Sequence, residues 1–135
     1  MTTKPMKTEK VILVVEDENS LLGIIKEQLE LNGFTVATAR TVEEAIGQIN
    51  AFKKVDAIWL DHYLLGEDSG LDFVIKLKEN DKWKKIPVFV VSNSGSVDVM
   101  QSYMQLLVAK YYVKAEHRLD EIISEIKLFL DRSEE

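Results

Sequence analysis

The chain has 135 residues with a formal net charge of -6, and 46% of its residues are hydrophobic and 30% charged. This length predicts one domain with a substantial core, and the acidic charge disfavours nonspecific binding of nucleic acid, which depends on clustered Lys and Arg. The absence of cysteine excludes disulfides and thiolate sites, and no apolar run nears the roughly 20 residues that span a bilayer, so we expect a cytoplasmic protein.

Five strands are predicted to alternate with five helices over residues 9–132, after a flexible lead-in at residues 1–8. Runs of β-branched residues predict the strands, and apolar residues at helical spacing predict the helices. In chain order, strands at 10–15, 34–38, 55–60, 86–91 and 110–113 are followed by helices at 20–31, 41–49, 69–80, 96–108 and 117–131, respectively.

Local signals support several of these boundaries. Gly33 readily takes the left-handed conformation that ends a helix. Thr41 and Glu44 have the spacing of a capping box. Pro87 lies near the first position of its strand, where a missing N–H is tolerated.

The helix at 96–108 has more apolar residues than one buried face needs. A second stripe, formed by Val99, Tyr103 and Leu106, is turned from the first by about a third of a revolution. This second stripe belongs either to a broad buried face or to an exposed docking surface for a partner. The positions predicted to face the core are Val97, Met100, Met104, Leu107 and Val108 here, Leu71, Val74, Ile75 and Leu77 in the helix at 69–80, and Leu119, Ile122, Ile123, Ile126, Phe129 and Leu130 in the last helix.

Regular alternation of strands and helices predicts an α/β fold with a parallel sheet covered on both faces. Right-handed crossovers then favour a flavodoxin-like, doubly wound (βα)5 arrangement with strand order 2-1-3-4-5. In that order the first and third strands are neighbours at the switch point, where ligands bind. Glu16, Asp17 and Asp61, which follow these two strands, are therefore expected to converge.

Such a group of carboxylates needs a cation or a proton to persist. An oxygen-rich site with few protein ligands favours Mg²⁺ or Mn²⁺ over zinc. Ser92 and Lys114 follow the fourth and fifth strands and reach the same edge of the sheet. Three carboxylates, a hydroxyl and an ammonium suit a phosphoryl group on a carboxylate, since the cations offset its charge and the hydroxyl donates to it.

The sequence resembles the receiver domain of two-component response regulators from about Lys10 to Asp131. The resemblance rests on Val-Val-Glu16-Asp17-Glu18, on Leu60-Asp61 before a Gly-rich turn, on Pro87-Val-Phe-Val-Val-Ser92 and on Tyr111-Tyr-Val-Lys114. It implies that Asp61 accepts a phosphoryl group from a sensor histidine kinase or a histidine phosphotransfer protein. The chain would then be a signalling switch that acts on a downstream protein, as a monomer or a phosphorylation-dependent dimer, and not an enzyme.

The resemblance also implies roles for the neighbours of Asp61. Asp17 would ligate the metal directly together with Asp61, Glu16 would act mainly through water, and the Tyr63 carbonyl would complete the site. Ser92 and Tyr111 would be the switch pair, with Tyr111 favoured over the adjacent Tyr112.

Several positions depart from the family pattern. Ala115 stands where a proline in a cis peptide usually follows the lysine, and Leu107-Val108 replaces a Gly-Ala pair. Leu65 replaces a proline in a turn that is one residue longer, and Asn93 replaces a small residue. A cis bond before a non-proline residue costs about 2.5–4 kcal/mol, so a trans loop that aims Lys114 differently is expected.

Two neighbours of the acceptor have open roles. His62 is either a bystander on its loop or a metal ligand or proton shuttle. The Tyr63 side chain, together with Asn93, is a candidate for restricting the attacking water and so tuning the lifetime of the acyl phosphate.

The expected function is a stand-alone receiver, because about three residues follow the last helix. One alternative is a receiver-fold interaction module that acts without phosphorylation. The other is an aspartyl-nucleophile phosphohydrolase of the haloacid dehalogenase class, which carries a second aspartate two residues after the nucleophile. Tyr63 occupies that position and cannot serve as the acid near neutral pH.

Overall fold

The computed structural model of the chain describes residues 9–133, and the side chain of residue 133 is not considered. The predicted lead-in at residues 1–8 and the last two residues lie outside the described residues. Within that range no helix combines the length and the apolar character needed to cross a bilayer.

Five parallel strands form one sheet in the order β2-β1-β3-β4-β5, as predicted. A short 3-10 turn at Lys114–Glu116 links the last strand to the last helix. The elements are β1 Val11–Val15, α1 Asn19–Leu31, β2 Thr35–Ala39, α2 Val42–Ala51, β3 Ala57–Leu60, α3 Gly70–Lys78, β4 Val88–Ser92, α4 Val97–Gln105, β5 Lys110–Val113 and α5 Leu119–Ser133.

Alternate residues of the strands feed two separate cores, one on each face of the sheet. Ile12 and Val14 of β1 join the core under α1 and α5, whereas Leu13 and Val15 join the core under α2, α3 and α4. β3 is buried on both faces, which is typical of a central strand in a parallel sheet. The flavodoxin-like layout follows from these two covered faces.

Side-chain caps define the starts of three helices. The Thr41 hydroxyl accepts from the Glu44 N–H at 3.0 Å, which is the first half of the predicted capping box. The complete reciprocal box is instead at Ser69 and Asp72, at the start of α3. Ser96 caps α4 by accepting from the N–H of Val99.

The orientation of α4 is the main correction to the sequence prediction. Tyr103 is 0% exposed, and Val99 and Leu106 pack against the same core, so this stripe is not an exposed docking surface. Val97, Met104 and Leu107 of the predicted core stripe are instead 63%, 47% and 80% exposed. Both stripes have helical spacing. The stripe that contains Tyr103 is the buried one, because it buries the largest ring and the Tyr103 hydroxyl still has a hydrogen-bond partner.

Smaller corrections concern α3 and α5. Phe73 is fully buried on α3, where Ile75 was predicted to be and is exposed. Phe129, predicted in the buried stripe of α5, is 41% exposed although its ring meets Phe89 edge-on.

Candidate functional site

The acidic cluster forms because β1 and β3 are direct neighbours in register. Val15 pairs with Leu60, so the residues that follow them leave the sheet side by side. The Asp61 N–H donates to the Val15 carbonyl at 2.9 Å, which extends the pairing to the acceptor itself. On the other side of β1, the N–H of Glu16 donates to Ala39 at 3.0 Å.

Three carboxylates meet at this edge, as predicted. Glu16, Asp17 and Asp61 each offer an oxygen atom, and these atoms all lie within 4.8 Å of one another. Glu16 and Asp61 are buried, at 1% and 5% exposure. Burial and the neighbouring Glu16 raise the pKa of Asp17 above its ordinary value. Mutual repulsion is therefore a real cost of bringing these groups together.

Lys114 supplies the compensating positive charge. Its Nζ lies 2.8 Å from Glu16 Oε1 and 3.3 Å from Asp61 Oδ2. Burial alone would lower the pKa of Lys114, but the hydrogen bond that it donates to Glu16 and the charges of Asp61 and Glu16 hold this pKa above the ordinary value. The ammonium is therefore a permanent cation at the site. The peptide that follows it is trans, since no cis bond occurs in residues 9–133.

The free oxygen of Asp61 tests whether the cluster suits a cation. Asp61 Oδ1 is buried and has no hydrogen-bond partner among the described residues. A buried carboxylate oxygen without a partner is costly, and a divalent cation held by the three acids would satisfy it. The donor set is all oxygen, which matches the preference of Mg²⁺ and Mn²⁺. The residues present therefore fit the predicted metal.

The expected switch residues meet at Ser94. Ser92 ends β4 with 0% exposure, and its Oγ accepts from the Ser94 N–H at 3.2 Å. Tyr111 donates its hydroxyl to the Ser94 carbonyl at 2.8 Å. Ser94 therefore contacts both Ser92, through its N–H, and Tyr111, through its carbonyl.

A polar link between the acceptor loop and α4 was missed by the sequence reasoning. His62 Nδ1 lies 2.7 Å from the Tyr103 hydroxyl, and burial lowers the pKa of His62. The Tyr103 ring in turn packs against the Tyr111 ring, with centroids 5.7 Å apart. His62 is thus anchored in the structure and is not a free bystander. A buried tyrosine needs a partner for its hydroxyl, and that was the only sequence signal available.

Arg40 is a second residue that sequence reasoning missed. Its guanidinium donates from Nε and from a terminal nitrogen to the backbone carbonyl of Asp17, at 3.1 and 2.9 Å. This contact holds the loop that carries Asp17, the least buried member of the acidic cluster. An arginine directly after a short strand gave no signal of this role.

A family model described as the response regulator receiver domain matches residues 12–127. The chain belongs to this family. In this receiver domain the four motifs that carried the resemblance lie at one edge of the sheet, as the strand order requires.

Proteins similar to this chain occur both among curated sequences and among solved structures. The alginate biosynthesis transcriptional regulatory protein AlgB of Pseudomonas aeruginosa is 35% identical over 105 residues, which are 76% of this chain and 22% of AlgB. The chain thus spans about a fifth of the length of that relative. The phosphorylated cyanobacterial phytochrome response regulator RcpA is 27% identical, with a TM-score of 0.75 and coverage of 90% of this chain and 91% of that one. The Mn²⁺-bound response regulator Rcp1 is 25% identical, with a TM-score of 0.77 and coverage of 89% and 93%.

The two residues expected to tune the site, Tyr63 and Asn93, are both exposed. Tyr63 is 56% exposed and its ring meets the His62 ring edge-on, with centroids 4.9 Å apart. Asn93, beside Ser92, is also exposed. Neither residue belongs to the acidic cluster.

Proposed function

We propose that this receiver domain accepts a phosphoryl group on Asp61 from a phosphohistidine of a sensor kinase or phosphotransfer protein in the cytoplasm, and then changes its protein contacts. The observation that carries the proposal is the state of the Asp61 carboxylate. One oxygen faces Lys114 at 3.3 Å, and the other is buried without a partner inside the acidic cluster. Family membership supports it.

In the proposed transfer an Asp61 oxygen attacks the phosphorus, the N–P bond to the donor imidazole breaks, and an O–P bond forms. A bound Mg²⁺ or Mn²⁺, held directly by Asp17, Asp61 and the Tyr63 carbonyl and through water by Glu16, would neutralise charge on the phosphoryl oxygens. Lys114 is placed to bind another of these oxygens by leaving Glu16, because its Nζ already lies between the two acids. Positioning and charge stabilisation are most of what this chemistry requires.

The response would pass through the Ser92–Ser94 loop. The Ser92 hydroxyl would move toward a phosphoryl oxygen to donate to it, and that movement would cost the hydrogen bond that it now accepts from the Ser94 N–H. That loss loosens the loop whose carbonyl holds the Tyr111 hydroxyl. Tyr111 would then repack, and because its ring contacts Tyr103, the change would reach α4.

The outer face of α4 is where such a change would be read by a partner. Val97 and Met104 on this helix and Leu107 just after it are exposed, and they replace the stripe first considered as the docking surface. Hydrogen exchange of α4 should change upon phosphorylation, while that of α1 should not. Equal exchange in both states would contradict a response through this helix.

The deciding experiment is labelling with acetyl phosphate and Mg²⁺ followed by intact mass. We expect an increment of one phosphoryl group that disappears in Asp61→Asn and persists in Asp98→Asn, a matched change of an exposed aspartate on α4. No increment in the wild type would favour the interaction module that acts without phosphorylation. Sustained turnover of a small phosphomonoester would favour the phosphohydrolase instead.

Tyr63 and Asn93 are proposed to set the lifetime of the acyl phosphate by restricting the attacking water. Tyr63→Ala should shorten that lifetime, and Tyr63→Phe, which keeps the ring, should not. Dephosphorylation of Tyr63→Ala at the wild-type rate would contradict this role.

A further inference from the structure

A groove of about 720 Å³ lies at the amino-terminal end of the sheet, opposite the acidic cluster. It is bounded by the end of α2, by the loop that precedes β4 and by the last turns of α5. Asp56 lines the groove five residues before Asp61 on the same strand segment, so the two sites are about 16 Å apart at a rise of about 3.3 Å per residue. We call it the basic groove, and it includes Phe52, Lys53, Lys82, Trp83, Lys85 and Phe129.

The charge of the basic groove is opposite to that of the whole protein. Five lysines and a single acid line it, on a chain with a net charge of -6. The acid, Asp56, is already engaged, because its carboxylate accepts from the Val11 N–H at 2.8 Å and faces Lys54 at 3.4 Å. Lysine side chains therefore outnumber carboxylates around the groove.

Three of the lysines are available to a partner. Lys53, Lys82 and Lys85 have no ion-pair partner within the described residues, and all three are exposed. By contrast, nearby Lys84 pairs with Asp81 at 3.2 Å, although that aspartate is almost fully exposed. Lysines that protrude around a concave surface, rather than being neutralised on it, favour an anionic guest.

The floor of the basic groove is apolar. Phe52, Trp83 and Ile86 are partly buried and pack against the core beneath α2 and α3. Phe129 remains 41% exposed at the other wall. A small rigid anion would leave these rings in water, whereas an aromatic or aliphatic side chain between acidic residues would cover them.

From this combination we infer that the basic groove binds an acidic segment of a partner protein, one that carries an apolar side chain between its carboxylates. Lys53, Lys82 and Lys85 would contact the carboxylates, and Phe52, Trp83 and Phe129 would contact the apolar side chain. Exposed charge pairs are screened by salt, so binding should weaken steeply with ionic strength. The site does not rest on phosphorylation of Asp61.

The test uses the full chain and a fluorescein-labelled peptide of Glu and Asp residues with a central Leu-Phe pair, followed by anisotropy. The chain has two tryptophans, and Trp59 is 1% exposed in the core, so a change in Trp83 emission reports occupancy of the groove. Trp83→Phe should remove that change. We expect saturable binding that is about tenfold or more weaker in Lys53→Glu/Lys85→Glu.

Matched controls separate this site from general charge. Lys26→Glu/Lys127→Glu makes the same change in net charge away from the groove and should leave binding within about twofold. If the reversed groove variant fails to fold, Lys53→Gln/Lys85→Gln against Lys26→Gln/Lys127→Gln gives the same comparison. Asp61→Asn should bind the peptide as the wild type does, so failure here is distinct from failure of the phosphorylation proposal.

Three outcomes would overturn the inference. These are no saturable binding by the wild type, equal weakening in the control pair, and equal binding of a peptide in which Ser-Gly replaces Leu-Phe. Tighter, groove-dependent binding of a DNA duplex than of the peptide would assign the groove to nucleic acid instead.

Discussion

Gly70 is the one helical glycine at which an added methyl group should destabilise this protein. A Cβ there would lie 2.5 Å from the Asp61 carbonyl oxygen and 2.6 Å from the Tyr103 hydroxyl, both below the 3.0 Å that Cβ atoms essentially never violate. The carbonyl belongs to the acceptor, and the hydroxyl is fixed against His62. Neither neighbour is free to move away cheaply.

The expected magnitude follows from two opposing effects. Replacing Gly by Ala in a helix ordinarily stabilises by about 0.5–1 kcal/mol, because it restricts the unfolded chain. Forcing a methyl group into a filled space costs about 1–3 kcal/mol. Taken at the middle of each range, these effects mean that Gly70→Ala should lower the free energy of unfolding by about 1 kcal/mol.

Two other helical glycines provide matched controls. Gly23 on α1 and Gly47 on α2 have nothing within 4 Å of an added Cβ, so Gly23→Ala and Gly47→Ala should each raise the free energy of unfolding. Urea unfolding followed by circular dichroism, with an unchanged m-value, measures all three. Removing one of the two overlaps in Gly70→Ala/Tyr103→Phe should recover part of the loss. A Gly70→Ala protein as stable as the wild type would refute the reasoning.

Two further predictions concern residues outside the acidic cluster. Leu107 has a φ of 60° and is 80% exposed, so Leu107→Gly should raise the free energy of unfolding by about 0.5–1 kcal/mol. Leu106→Gly, at a packed position, should lower it. Urea unfolding that shows a destabilised Leu107→Gly protein would contradict this prediction. The hydrogen bond from Lys110, at 2.6 Å, lowers the pKa of Glu125 below its ordinary 4.5. Because folding lowers this pKa, the pair stabilises the fold fully at pH values above about 4.5, and the stabilisation is lost as the pH falls through the lowered pKa. Lys110→Met should therefore be less stable than the wild type near neutral pH by about 0.2–1 kcal/mol, because the pair is exposed. Near pH 3 the two proteins should be equally stable. A difference in stability that stays constant between pH 3 and pH 7 would assign the loss to packing.

The strand order and the acidic cluster were predictable because each depends on a strong local pattern. β1 and β4 are short runs rich in Val, and β5 has the bounds that its sequence predicted. Once the order 2-1-3-4-5 is accepted, the neighbours β1 and β3 deliver Glu16, Asp17 and Asp61 to one place without further information. The strand order therefore determines the position of most of the residues in the site.

The orientation of α4 was not predictable in the same way. Val97, Met104 and Leu107 have the spacing of a buried stripe, and so do Val99, Tyr103 and Leu106, so periodicity could not choose. The choice depends on a contact 41 positions away in sequence, between Tyr103 and His62. A single sequence contains no record of such a pair, and His62 consequently looked like a bystander.

The position of Tyr103 connects α4 to the loop that follows Asp61. Its hydroxyl meets the His62 ring next to the acceptor, and its ring meets Tyr111, which holds the loop that follows Ser92. The same burial that turns Val97, Met104 and Leu107 outward thus places a tyrosine between the loop that follows Asp61 and the expected switch residue, Tyr111. A helix in the other orientation would have an apolar core stripe but no polar link to Asp61. The exposed apolar face of α4 and its coupling to the acidic cluster are therefore two consequences of one packing choice.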